Sequence, residues 1–286
     1  MRRAHAADIP AIRAFLTAQA DVAMFPLSNI DTDGLAVAGG DNAARAMFVW
    51  IDGAPVTAFI AITAEGMLLP VLPEAPAGHW RAVAPDLAGH RAFGMAGEAR
   101  AARSGLEVLG LSGTGSALDR DEPHFALELD ALELPAGHDG FTLTRPGPDD
   151  RTLMEAWRAS YHIEVLGTAP DQAMAVAARD IARALERDTY RILWRDGAPV
   201  SMAGINAAAP GIVQIGGVYT PPELRGTGFA RHAVAGLLAE KRAAGITRAV
   251  LFAASEAAAR AYVAIGFRRI GDYTLTLLDP PVEIAP

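Results

Sequence analysis

An α+β fold written twice is what the sequence predicts: two tandem domains, each a mixed, mostly antiparallel sheet flanked by helices. Three observations lead there. The chain has 286 residues, more than one hydrophobic core usually serves. The segment Trp50-Ile-Asp-Gly-Ala-Pro-Val56-Thr57 recurs as Trp194-Arg-Asp-Gly-Ala-Pro-Val200-Ser201, and an ordered internal repeat marks a duplicated domain. In both copies Asp-Gly stands between apolar runs, the strongest short signal for a two-residue β-hairpin.

The elements follow in chain order. Ala7-Asp8-Ile-Pro-Ala-Ile12 reads as a helix start with aspartate near the cap, and Pro148-Asp149-Asp-Arg-Thr-Leu-Met154 repeats it. Phe125-Ala-Leu-Glu-Leu-Asp130 is strand-like, and the Pro/Gly cluster Leu134-Pro-Ala-Gly-His-Asp-Gly140 after it marks the seam. Domains over 1–138 and 139–286 are therefore expected. In the second, helices are predicted at 149–162 and 171–187, and a hairpin over 190–206 turns at Asp196-Gly197. A strand at 212–219 leads through a glycine-rich turn into a helix to 244, closed by Gly245 as a left-handed cap. A strand at 249–253, a short helix at 256–265 and a last strand at 273–278 complete it. Leu106-Glu-Val-Leu-Gly110-Leu111 in the first half matches Tyr262-Val-Ala-Ile-Gly266-Phe267 in the second.

Composition narrows the chemistry. Hydrophobic residues make up 51% and charged residues 20%, a globular balance. A net charge of −8 without Lys/Arg clusters argues against nucleic acid or an anionic membrane as partner. With no cysteine, disulfides, thiolate metal sites and a cysteine nucleophile are excluded. The first residues lack the apolar core of a signal peptide. The apolar region 56–72 is interrupted by Glu65 and Pro70 and too short to span a bilayer. A cytoplasmic protein is the expectation. The histidines at 5, 79, 90, 124, 138, 162 and 232 form no ligand spacing, so no metal is expected.

The stretch Thr220-Pro-Pro-Glu-Leu-Arg-Gly-Thr-Gly-Phe-Ala230 is either an anion-binding loop or a glycine-rich turn that merely lets strand meet helix. A P-loop needs Gly-Lys-Ser/Thr where Phe229-Ala230 stands, and a dinucleotide fingerprint needs a third glycine where Arg231 stands. What remains is a turn whose amides at Arg225, Gly226, Thr227, Gly228, Phe229 and Ala230 can converge on an anion at a helix N-terminus. Gly216-Gly217 inside the preceding strand marks a bulge or a close backbone approach.

Together with Ala261-Tyr262-Val-Ala-Ile-Gly-Phe267, this stretch resembles the GNAT family of N-acyltransferases over residues 141–278, with 1–132 a weakened copy. The resemblance implies that Arg225-Gly-Thr-Gly228 grips the pyrophosphate of acetyl-CoA. It implies that the strand ending at Gly217, Val218, Tyr219 and Thr220 splays from its neighbour and pairs with the pantetheine arm, a main-chain N–H polarising the thioester. Tyr262 is expected as general acid for the leaving thiolate, because a phenol of pKa ~10 stays protonated at neutral pH. Where the family often has asparagine the chain has Ser255, either a cofactor contact or the cap of the helix at Glu256. The base is less determined. Ile212, Gln214 and Gly216 offer no carboxylate, which leaves Glu164, on one helix side with Trp157 and Tyr161, or a water relay. Glu164 as a plain surface residue is equally open.

The first copy is expected to do no chemistry. Leu106 stands where Tyr262 would map, and the loop is expected near Pro76-Ala-Gly-His-Trp-Arg81 with a single glycine. Tandem members of the family with one degenerate half, such as mycothiol synthase, follow this pattern. The function read from the sequence is transfer of an acetyl group to a small-molecule or peptide amine by direct attack in a ternary complex. A non-catalytic CoA-binding module is the alternative, and transfer of aminoacyl groups from tRNA is disfavoured by the acidic balance and the intact loop.

Overall fold

A computed structural model describes residues 1–33 and 47–286. Its first half contains β1 (Arg2–Arg3), α1 (Ile9–Ala18), α2 (Ala20–Asp33), β2 (Phe48–Asp52), β3 (Ala58–Ile62), β4 (Met67–Val71), α3 (Pro76–Leu87), β5 (Arg91–Glu98), α4 (Ala99–Val108) and β6 (Ser116–Glu128). The second contains β7 (Thr142–Thr144), α5 (Arg151–Leu166), α6 (Pro170–Arg187), β8 (Tyr190–Arg195), β9 (Ala198–Ala209), β10 (Ile212–Tyr219), α7 (Phe229–Ala243), β11 (Arg248–Phe252), α8 (Glu256–Val263) and β12 (Arg268–Glu283). The α+β class and the tandem arrangement hold. None of the described helices is long and apolar enough to cross a membrane.

The compact units do not divide at 138/139. One comprises Met1–Glu122 with Gly271–Pro286, the other Pro123–Ile270. The last strand of each half thus passes from one unit into the other: β6 crosses into the second at 122/123 and β12 into the first at 270/271. The Pro/Gly cluster at 134–140 is a surface connection inside the second unit, which is why composition marks it without its being a boundary.

In the first unit β2, β3 and β4 form an antiparallel meander, with β1 on the outer edge of β2. β4 then runs parallel to β5, and β5 pairs antiparallel with β12 from Tyr273↔Glu98 to Glu283↔Arg91. Every residue of β3 is buried, as a strand covered on both faces requires. The core gathers around Trp50, Ile60, Trp80, Met95 and Leu106.

In the second unit the order runs β7-β8-β9-β10-β11, closed by residues 124–128 of β6 against β11. Asp196 (φ 52°) and Gly197 (φ 77°) turn the β8–β9 hairpin, both positive as a type I′ turn demands. The sister Asp52-Gly53 makes a wider connection, closing only at Asp52↔Ala58, so the two identical dipeptides do not make one turn type. α6 buries Ala173, Ala177, Ile181 and Ala184, a stripe of four-residue and three-residue steps facing α5. α7 lies on the other side of the sheet, packing Ala233, Val234, Leu237 and Leu238 with Val213, Ile215, Phe125 and Leu251.

Candidate active site

Two strands and one turn build the candidate site. β10 runs parallel to β11 from Ile212↔Arg248 only as far as Ile215↔Leu251. The β9 register is broken within Gly216–Tyr219 by a bulge. Beyond Ile215 the two parallel strands part, and main-chain groups of 216–219 are freed from the ladder on that side. Gly217 sits at φ +59°, and a Cβ there would lie 1.7 Å from the Tyr190 hydroxyl oxygen. A Cβ at Gly216 would lie 1.9 Å from the Asn206 amide nitrogen. At Gly217 the positive φ and the buried Tyr190 side chain both disfavour any Cβ, whereas at Gly216 the exposed Asn206 side chain would have to move.

Past β10 the chain turns at Pro222–Leu224 and enters the glycine loop. Gly226 takes φ +81° and Gly228 φ +86°, where a side chain would be strained. Thr227 donates its hydroxyl hydrogen to the Leu224 carbonyl at 2.6 Å, tightening the turn. Gly228 is the N-cap of α7, and no side chain caps that end. The first amides of α7 therefore have no side-chain acceptor, and the helix dipole favours an anion before them. Arg225, Gly226 and Thr227 are exposed, while Phe229 is buried and anchors the loop to the core. The loop, its two positive-φ glycines and its uncapped helix suit a diphosphate. No group of three or more acidic or histidine side chains able to hold a metal occurs among the described residues.

Val218 packs against the α7-side core, and Tyr219 faces the other way toward Trp157 and Met154. Thr220 shares a hydroxyl hydrogen bond with Ser201 at 2.9 Å. Tyr219 donates from its hydroxyl to Glu164 Oε1 at 3.1 Å, and burial foremost pushes its pKa up, with the Glu164 carboxylate acting in the same direction. Glu164 Oε2 accepts from Arg225 Nη2 at 2.6 Å, and Arg225 Nε donates to the Thr220 carbonyl at 3.0 Å. The sequence-predicted Glu164 and Arg225 are thus brought together, and Glu164 is neither a lone surface residue nor a free carboxylate.

Tyr262 lies in the last turn of α8, buried beside Phe267 at 6.1 Å between ring centres and within the same apolar cluster as Phe229. Ser255 caps α8: its side-chain oxygen accepts from the Ala258 amide at 3.2 Å. Ala230 is half-buried in the first turn of α7. His232, also on α7, is packed in the interior: its ring stacks on His138 with 5.5 Å between centres, and Phe141 lies 4.2 Å away.

A network absent from the sequence reading stands behind the bulge. Asp180 on α6 accepts from Arg158 Nη2 at 2.6 Å and contacts His162 Nε2 at 2.9 Å. Burial alone would raise the Asp180 pKa, but hydrogen bonds with His162 and Arg158 hold it below the usual carboxylate value. Arg158 also reaches the Tyr190 hydroxyl at 3.4 Å, the group that abuts Gly217. His162 sits on the buried face of α5, where an imidazole needs a partner, but no local sequence pattern names Asp180 as that partner.

The first unit keeps the scaffold of this arrangement and fills its centre. Parallel pairing of β4 with β5 is confined to Met67↔Gly94 and Leu68↔Met95. Pro70 then packs so closely on Gly97 that a Cβ there would be 2.7 Å from its Cγ. Residues 76–81 form the opening of α3 rather than a loop, because Pro76 suits the first helical turn. The β4–α3 connection is only 72–75, four residues without a glycine. Trp80 lies over Gly105 and donates its indole hydrogen to the Ala101 carbonyl at 2.8 Å. Leu106 is buried in that core.

Residues 151–267 match the model of the Acetyltransferase (GNAT) family. No curated protein sequence matches the chain at a significant level. Among solved structures, a GCN5-related N-acetyltransferase from Sphaerobacter thermophilus superposes with a TM-score of 0.54 at 20% identity, covering 100% of this chain and 95% of that one. A tandem GNAT protein from the clavulanic acid biosynthesis pathway gives 0.52 at 15% identity, covering 99% and 98%. A Drosophila protein gives 0.61 at 10% identity, covering 97% and 98%. At these identities the likeness is one of fold.

Proposed function

We propose that this chain, whose residues 151–267 match the Acetyltransferase (GNAT) family, moves an acetyl group from acetyl-CoA to an amine of a small molecule or peptide, by direct attack in a ternary complex. The observation that carries this reading is the splay of β10 from β11 leading straight into an uncapped, twice-glycine helix start. Arg225 to Ala230 hold the diphosphate, Gly217 to Thr220 line the pantetheine arm, and Ser255 keeps α8 in place as its cap. Bound there, acetyl-CoA supplies an activated acyl carbon as a thioester.

The remaining work falls to the protein. A main-chain N–H of the bulge donates to the carbonyl oxygen as it gains charge. The amine nitrogen bonds to the acyl carbon while the carbon–sulfur bond breaks, and the Tyr262 hydroxyl gives its proton to the departing sulfur. The amine proton passes toward Glu164, the carboxylate held at the end of β10. Absence of cysteine suits direct transfer over an acyl-enzyme. We assign the chemistry to the second unit alone, the first being closed by Pro70 and Trp80. The acidic balance and the lack of a membrane-spanning helix among the described residues fit a cytoplasmic enzyme acting on cationic amines.

Calorimetric titration with acetyl-CoA is expected to give one site per chain, and thiol release from acetyl-CoA over a panel of amines is expected with at least one of them. Two sites of similar affinity would overturn the one-sided assignment. Tight binding with no thiol release across the panel would instead identify a CoA-binding module without catalysis, a reading that Ile212, Gln214 and Gly216 favour by offering no carboxylate on that face of β10.

A further inference from the structure

The Arg225–Glu164 pair does two things at once. Glu164 lies in the last turn of α5, where the helix dipole disfavours a negative charge. It is held there by Arg225 Nη2 at 2.6 Å and the Tyr219 hydroxyl at 3.1 Å. Arg225 is the first residue of the glycine loop, its guanidinium 5.5 Å from the Tyr219 ring centre and tied back to the Thr220 carbonyl. One ion pair therefore joins the loop to the helix that packs on β10.

We propose that this pair is a latch which a diphosphate opens: the anion draws Arg225 away from Glu164, and the freed carboxylate becomes available on α5 for a cationic acceptor. This rests on reading the loop as a diphosphate site. Arg225 and Glu164 are 47% and 35% exposed, so their attraction is screened and modest. A diphosphate, carrying two negative charges over its two phosphorus centres, presented to the same guanidinium competes well, since Arg matches phosphate geometry in a two-point fork. By reciprocity, whatever Glu164 subtracts from diphosphate affinity, diphosphate subtracts from the Glu164–Arg225 bond. The donor thereby prepares the acceptor side, and donor-first binding follows.

The latch makes a prediction of definite sign: neutralising the carboxylate that competes for Arg225 should improve diphosphate binding. Coenzyme A and, separately, inorganic pyrophosphate are titrated into the full chain as wild type, Glu164→Gln, Arg225→Gln and the double variant. Glu164→Gln is expected to tighten both ligands about three- to fivefold, the reach of a half-exposed ion pair. Arg225→Gln is expected to weaken both, and the second substitution should then add nothing. Unchanged or weaker binding in Glu164→Gln overturns the latch while leaving the diphosphate site standing. Failure of wild type to bind coenzyme A at all overturns the site and the latch together. A Glu164→Gln gain that persists in the Arg225→Gln background also overturns it, because the effect would not pass through Arg225.

Discussion

At Gly217 a methyl group would meet two penalties at once, a left-handed backbone at φ +59° and a contact 1.7 Å from the Tyr190 hydroxyl oxygen. Gly217→Ala is expected to cost about 2–4 kcal/mol, as strain and overpacking together do, and to lower transfer activity further than stability explains, because the bulge amides move. Chemical denaturation beside steady-state kinetics separates the two effects, and an unperturbed midpoint would show that the bulge is not held by Tyr190. Tyr262→Phe probes a different atom. It keeps the ring that packs on Phe267 and removes only the hydroxyl. Turnover is expected to fall more than tenfold with coenzyme A affinity nearly unchanged, the mark of a group that acts on the departing sulfur rather than on binding. Unaltered turnover would remove Tyr262 from the mechanism. The loop glycines were readable in sequence because the demand for positive φ is local to each residue. The Tyr190–Gly217 contact was not: it joins positions brought together only by the β8–β9–β10 register.

Among elements, α7 shows what packing does to a titrating group. Burial first, then the neighbouring His138, Arg231 and Arg195, push the His232 pKa from 6.5 down to about 4. Between those values the unfolded chain takes up a proton that the folded chain refuses. Stability therefore rises with pH across that window and is lost as pH falls from about 6.5 toward 4. The thermal midpoint of His232→Phe, which keeps an aromatic ring beside Phe141 and His138, is expected to decline less steeply than wild type from pH 7 to pH 4.5. Equal slopes would mean that His232 charges freely in the fold. Element boundaries came through the sequence well wherever a cap or turn residue set them: Ser255 before α8, Gly245 after α7, Asp196-Gly197 in the hairpin. The Asp180–His162–Arg158 cluster was illegible because its members sit on two helices whose mutual packing no local pattern states. The degenerate loop was misplaced for a related reason. Glycine and proline at 76–78 resemble a turn, yet Pro76 at a first helical position starts α3.

For the whole molecule, duplication was legible from the repeated Trp-x-Asp-Gly-Ala-Pro-Val, but the assignment of final strands was not, since strand exchange leaves every local pattern intact and changes only the partner. This has a consequence for dissection. A fragment of residues 139–286 lacks residues 124–128, which pair with β11 from Phe252↔His124 to Arg248↔Glu128. It also lacks Phe125, Leu127, Leu129 and Leu132, all buried in the α7 core. At about 1.5–3 kcal/mol for each fully buried side chain, the loss is ~6–12 kcal/mol, comparable with the entire stability of a domain. The same fragment leaves the edge of β11 open to aggregation, while residues 271–286 belong to a unit no longer present. The expected outcome is an insoluble or molten product without coenzyme A binding. A fragment of residues 123–270, cut where the compact unit begins and ends, is expected to be soluble, to melt cooperatively and to bind coenzyme A. Circular dichroism melts and calorimetry on the two fragments read both outcomes, and a well-folded, ligand-binding 139–286 would show that the exchanged strand is dispensable to the second unit.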